Sequence, residues 1–362
     1  MAEARPSPGG ARQNRRNFNL DALRAAAITG VVLAHATVMD PIHHGRAAVL
    51  TWLGQFGVDL FFVLSGWLIG GLFWKERAEF GRVRWGRFVL RRALRTVPPY
   101  LVMLPLAWFA VRHFSPERPP FSLRYLVFLQ NYMAKIPYFS ISWSLCVEEH
   151  FYLVLPALVL FALAARLPLS VFFAALLAVS PLCRIFFQPA QSFDDFNQGI
   201  LSTHLRLEGL VLGFWGSYIH ACLPAVWRKV APWLRRLWIP ALLAYAATPL
   251  LPTLTFYHWG PTLIAVSFAI SVGNAAVADP WPLPKPAIVS RLATMSYSIY
   301  LTHALVIHVA RRLTLPLGGR ADVLYWPFVL VAMVSVGALF SRLVEAPSIR
   351  WRDRLAPARQ QS

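Results

Sequence analysis

Residues 20–39 read LDALRAAAITGVVLAHATVM. After its first turn this stretch is nearly all Ala, Leu, Ile and Val, and about 20 such residues are what a helix needs to cross a bilayer. Yet His35 stands near its far end. An ionisable group inside hydrocarbon costs roughly 2.5–3.5 kcal/mol on insertion scales, so it is normally kept for a purpose. A histidine can move protons near neutral pH. Working outward from this run, nine further apolar stretches qualify: residues 50–74, 97–114, 143–165, 167–187, 204–222, 237–252, 258–277, 292–312 and 324–344. The expected fold class is all-α, a polytopic integral membrane helical bundle of about ten transmembrane helices. Composition agrees: the 362 residues are 57% hydrophobic and only 14% charged, where a soluble domain carries about 25% charged residues. Residues 121–141 begin apolar but carry Gln130, Asn131, Lys135 and Pro137, and read as an interfacial or re-entrant element.

The formal net charge is +19. In so apolar a chain the excess must sit between spans, where it sets orientation and favours anionic headgroups. A nucleic-acid partner is the other reading of such basicity, and the apolar content argues against it. With the first span leaving the cytoplasm, Arg12, Arg15 and Arg16 fall inside. So do the basic run from Lys75 to Arg95, then Arg166, the Arg228–Arg236 cluster, and Arg350, Arg352 and Arg354. Asp40, Asp194 and Asp195 fall outside, and Arg311 and Arg312 are the exception. Both termini are therefore expected in the cytoplasm. Counting residues 121–141 as a span would put the Arg228–Arg236 cluster outside. Residues 1–19 read as a basic, disordered N-terminus with no signal-peptide core, residues 20–347 as the membrane domain, and residues 348–362 as a basic C-terminal tail. Cys146, Cys183 and Cys222 are far apart and show no metal or disulfide spacing.

Four groups of residues invite chemistry, each with a plainer alternative. His35 and His303 can be proton acceptors or neutral hydrogen-bonding residues between helices. Glu148 and Glu149 interrupt an apolar run, where one can orient an imidazole or serve a helix N-terminus. Arg92 and Arg95, three apart, share a helix face and suit phosphate oxygens, or else anchor the chain at lipid headgroups. Gly66 and Gly70 form a GxxxG pair that permits close helix contact, so Ser65 just before them reads as packing before catalysis. Cys146 reads as an inert buried thiol. Pro98-Pro99-Tyr100 is expected to break its helix on entering the membrane.

Taken in order, these segments resemble acyltransferase family 3, the membrane enzymes that include bacterial O-antigen acetylases. The resemblance runs through LDALR (20–24) with His35, GVDLFFVLSG (57–66), RALR (92–95) with Pro98 and Tyr100, SWSLCVEEHFY (142–152), LRLEGL (205–210) with Gly213, SYSIYLTH (296–303) and EAP (345–347). Trp67, His150, Glu208, Thr302 and Ala346 depart from the residues common there, which bears on acceptor shape more than on reaction class. No fused extracytoplasmic esterase-like domain is expected.

The resemblance implies transfer of an acyl group, usually acetyl, from acyl-CoA to a hydroxyl of a glycan such as lipopolysaccharide O-antigen or exopolysaccharide. A small-molecule secondary metabolite is the alternative acceptor, and a proton-coupled transporter the alternative class. It implies His35 as catalytic base, Glu148 and His303 as further catalytic residues, and Arg92 and Arg95 as the acyl-CoA site. No metal is implied. Expected partners are acyl-CoA, a carbohydrate or other hydroxyl acceptor and membrane lipids, with the chain multi-pass in a bacterial inner membrane. Glu148 would hold the His35 tautomer, and His303 or a tyrosine would polarise the thioester carbonyl. One difficulty is that the arginines lie at the cytoplasmic face and His35 in the outer half.

Overall fold

The structure, a computed structural model, describes residues 17–39, 48–114, 119–186, 200–283 and 286–357. Its helices are α1 (Phe18–Met39), α2 (Ala48–Gln55), α3 (Gly57–Phe80), α4 (Trp85–Phe114), α5 (Trp143–Ala164) and α6 (Leu169–Phe186). After these come α7 (Glu208–Cys222), α8 (Pro224–Ala246), α9 (Thr253–Val277), α10 (Pro286–Thr314), α11 (Ala321–Phe340) and α12 (Ala346–Leu355). A π turn, Ser341–Glu345, joins the last two. No strand occurs among the described residues. The outward faces carry large apolar side chains such as Phe109, Phe161, Phe186 and Leu243. Water would penalise that coat, whereas hydrocarbon does not.

Among the described residues eight helices are long and apolar enough to cross a membrane, not ten. The difference lies in the two expected spans at 204–222 and 237–252. The first is the 15-residue α7, roughly 22 Å long at 1.5 Å per residue against a hydrocarbon core of about 30 Å. The second is only the latter part of α8, which begins earlier and carries Arg228, Lys229, Arg235 and Arg236. Both still pack inside the bundle. Gly66 of α3 abuts Leu210 of α7, Gly70 abuts Phe214 and Ser217, and Gly213 of α7 abuts Val63. A Cβ at any of these glycines would run into the partner helix, so the GxxxG pair does pack helix on helix. On α8, Tyr245 donates to the Leu53 carbonyl, and Arg235 donates to the Val277 carbonyl at 2.6 Å.

Two local expectations change. The stretch 50–74 is divided at Phe56 into α2 and α3, where Gly54 and Gly57 lie against Gly30 and Ala27 of α1. Pro98 and Pro99 do not end a helix, since α4 runs through both. Pro98 and Pro99 withdraw donors from the Leu94 and Arg95 carbonyls, which membrane helices tolerate where the surroundings compensate; in the same turn Tyr297 of α10 ties α4 in place by donating to the Thr96 carbonyl at 2.7 Å. Residues 121–141 form short 3₁₀ turns instead of a span. They are held by Tyr100 donating to the Tyr125 carbonyl (2.9 Å) and Gln130 donating to Tyr100 (3.2 Å) and Ser142 (3.0 Å).

Candidate active site

A cavity of about 770 Å³ opens among the start of α1, most of the length of α3, the first half of α4, α5, α10 and α12. Five cations line it: Arg24, Lys75, Arg92, Arg95 and Arg352. The basic run of α4 divides into two faces. Arg87 donates to the Pro357 carbonyl, while Arg91 donates to the Ala356 carbonyl and pairs with Asp353 at 3.2 Å. Arg92 and Arg95 point into the cavity and make no side-chain hydrogen bond or ion pair among the described residues. The balancing charges are more distant, Glu148 and Glu149 among them. Bare guanidinium groups in a partly dry cavity are costly unless an anion arrives to meet them.

Glu148 lies on the same cavity. Its two oxygens accept from Ser65 (2.9 Å) and Tyr152 (2.9 Å). Glu149 accepts from Thr96 of α4 at 2.5 Å. Further along, the cavity wall is made by Phe61, Ser144 and Tyr300. Tyr300 is fixed by contacts to Ser144 (2.6 Å) and the Ile141 carbonyl (2.7 Å).

Just past Tyr300 lie His35 and His303, whose rings meet edge to face with centroids 4.8 Å apart. His35 Nδ1 lies 2.8 Å from the Val31 carbonyl, and His303 Nδ1 lies 2.5 Å from the Tyr300 carbonyl. A carbonyl only accepts, so in each neutral ring Nδ1 carries the proton and Nε2 keeps a lone pair. His303 Nε2 is buried without a partner among the described residues. The backbone, not Glu148, therefore selects the His35 tautomer. A neutral His303 has no spare N–H with which to polarise a carbonyl.

The expected site residues thus form two neighbouring groups: Arg92, Arg95 and Glu148 on the cavity, and His35 with His303 beyond it. Tyr300 stands between them. Three residues along α10 separate Tyr300 from His303, roughly 4.5 Å of rise, so the difficulty of arginines at one face and histidines in the other half largely disappears. Ser65, Tyr152, Tyr300, Glu345 and Arg352 also line the cavity. Of these, Glu345 had a visible signal as a carboxylate closing an apolar run; it accepts from Ser298 at 2.5 Å. Cys146 is buried and donates only to the Ser142 carbonyl of its own helix turn, at 3.4 Å. Among the described residues no group of three or more His, Cys, Asp or Glu is placed to hold a metal ion.

A profile of acyltransferase family 3, described as an acyltransferase domain, matches residues 17–342. The chain belongs to this family. Among its relatives are the Staphylococcus aureus (strain MRSA252) protein named "Putative O-acetyltransferase SAR0937", 24% identical over 377 residues and 93% of this chain, and O-acetyltransferase OatA of Staphylococcus aureus (strain NCTC 8325 / PS 47), 28% identical over 215 residues and 54% of this chain. These matches cover 59% and 33% of the two relatives, so the chain corresponds to only part of each. No solved structure matches significantly. The chain is a multi-pass membrane member of an acyltransferase family.

Proposed function

We propose that the chain is a membrane O-acyltransferase that moves an acyl group, most simply acetyl, from acyl-CoA to a hydroxyl of a cell-envelope glycan. It would sit in a bacterial inner membrane with both termini in the cytoplasm. The observation that carries this reading is the continuity of the site: a cavity with two arginines that have no side-chain partner among the described residues ends one helical turn from the paired imidazoles of His35 and His303. The names of the two relatives agree with O-acetyl transfer. A transporter would need no phosphate-binding pair beside a general base.

On this reading the donor phosphates rest on Arg92 and Arg95, and the pantetheine arm follows the wall of Ser65, Glu148 and Tyr152. Glu148 keeps the Ser65 and Tyr152 hydroxyls in place and balances the guanidiniums. The thioester reaches Tyr300. His35 Nε2 takes the proton of the acceptor hydroxyl, whose oxygen bonds to the thioester carbon. The tetrahedral oxyanion then collapses, the carbon–sulfur bond breaks, and the departing sulfur takes the proton back from His35. His303, in ring contact, can share that proton while the intermediate lasts.

The test is thiol release from acetyl-CoA by the purified protein in lipid, with crude envelope glycan as acceptor. Removing a general base costs typically about 10²- to 10⁴-fold, so His35→Ala should abolish detectable release while CoA still binds. Wild-type protein that neither binds CoA nor releases thiol would refute the acyl-CoA reading. Release that survives His35→Ala unchanged would refute the base.

A further inference from the structure

We propose that the C-terminal helix α12 is part of the donor site and that Arg352 provides a third phosphate contact beside Arg92 and Arg95. This rests on the acyl-CoA reading above and extends it to a part of the chain that sequence assigns to a basic tail.

Three observations carry it. First, α12 is held against the start of α4. Arg87 and Arg91 donate to the Pro357 and Ala356 carbonyls, and Arg91 pairs with Asp353 at 3.2 Å. A tail serving only as membrane-surface charge would need no such fixed docking. Second, the π turn that precedes α12 is pinned from inside the bundle by Ser298 donating to Glu345 at 2.5 Å. Such turns are rare and often mark functional sites. Here it leads the chain beneath the cavity that Glu345 itself lines. Third, Arg352 is the arginine of α12 that reaches the cavity wall, close enough to Arg92 for mutual repulsion. Its guanidinium is already oriented: Nε and Nη2 donate to the two oxygens of Asp353 at 2.9 and 3.0 Å. That leaves Nη1 without a hydrogen bond among the described residues. Three guanidiniums from two separate helices, held near one another against their repulsion, match a ligand bearing several phosphates better than a single carboxylate or a neutral sugar.

Coenzyme A carries three phosphate groups and pantetheine none. Equilibrium binding of both, to protein in nanodiscs of phosphatidylcholine alone and with added phosphatidylglycerol, tests the proposal. One charge-assisted hydrogen bond is worth about 1.5–3 kcal/mol, so Arg352→Ala should weaken CoA about tenfold or more. Pantetheine binding should not change. Arg352→Lys should recover part of the loss, and Arg354→Ala, on an exposed neighbour, should behave as wild type. Equal CoA binding by wild type and Arg352→Ala overturns the proposal while leaving the acyl-CoA reading intact. Equal weakening of CoA and pantetheine also overturns it, showing a structural role. So does loss of phosphatidylglycerol retention with CoA binding unchanged, which assigns Arg352 to a lipid headgroup. Failure of wild type to bind CoA removes the acyl-CoA reading and this extension together.

Discussion

Two pairs of arginines lie inside this bundle and differ in how their charge is met. Arg184 is wholly enclosed. Its guanidinium donates to Glu208 (2.6 Å), to Thr262 (2.8 Å) and to the carbonyls of Leu205 and His258 (2.6 and 3.0 Å). Arg206 donates to Asp59 at 2.8 Å and lies over the Trp143 ring, 5.3 Å from its centroid. These pairs join α6, α7 and α9, and α3 to the loop before α7. Arg92 and Arg95 have no such partners among the described residues and face a cavity. Residue type is shared and does not separate scaffold from site; Arg184 and Arg206 are buried, and Arg92 and Arg95 are half-buried against the cavity. What separates them is the accounting of partners: a buried charge met within the protein holds the fold, and one left unmet awaits something from outside.

The strongest way to break that comparison is to orphan a scaffold arginine. Glu208→Ala leaves the Arg184 guanidinium buried without its carboxylate, which should cost roughly 3–5 kcal/mol. The expected readout is loss of monodisperse protein, or a steep fall in thermal midpoint in detergent. Arg92→Ala with Arg95→Ala should do the reverse. It relieves repulsion between two neighbouring cations, so the midpoint should hold or rise, while CoA affinity falls about 100-fold or more for two lost charge-assisted contacts. If that double variant unfolds as Glu208→Ala does, the two classes of arginine are one.

A smaller effect sharpens the scaffold side. Asp59→Leu or Arg206→Met alone should be destabilising by a few kcal/mol, because each strands the other charge. Replacing both together should come within about 1 kcal/mol of wild type, as buried pairs often do when exchanged for apolar residues. A double variant as unstable as the sum of the singles would show that the pair contributes more than mutual neutralisation. The Arg206 contact with Trp143 would then be the place to look.

The division between the two classes also marks what sequence could reveal. His35, His303, Arg92 and Arg95 stood out because ionisable groups in or beside apolar runs are costly, and the cost is local information. The Gly66–Gly70 spacing announced its helix contact for the same reason. Partners are not local. Asp59 lies 147 residues from Arg206 and Glu208 lies 24 from Arg184, so nothing in the sequence says which charge is met and which is not. Glu148 shows the same limit: its place in an apolar run marked it as special, but its bonds go to Ser65 and Tyr152, not to an imidazole. Span boundaries and helix boundaries differ where hydropathy and helix frame part company. The window at 237–252 is apolar, yet the helix it belongs to starts at Pro224 among basic residues and ends at Ala246.

The smallest predicted effect is the most discriminating, because it compares adjacent residues. Arg91 and Arg92 are neighbours on α4, yet Arg91 turns to the Ala356 carbonyl and Asp353, while Arg92 turns to the cavity. Arg91 is part-exposed and its ion partner is half-exposed, so Arg91→Ala should lower stability by no more than about 1 kcal/mol. It should weaken CoA by at most roughly threefold, the cost of a loosened α12 and one distant charge. Arg92→Ala alone should weaken CoA about tenfold or more. Salt then separates contact from field. Screening at about 0.1 M acts over roughly 10 Å, so whatever Arg91 contributes through space should fade between low and high salt, while the Arg92 deficit persists. Equal losses in the two variants, both erased by salt, would mean that the arginine run acts as one diffuse positive patch and that its two faces carry no separate roles.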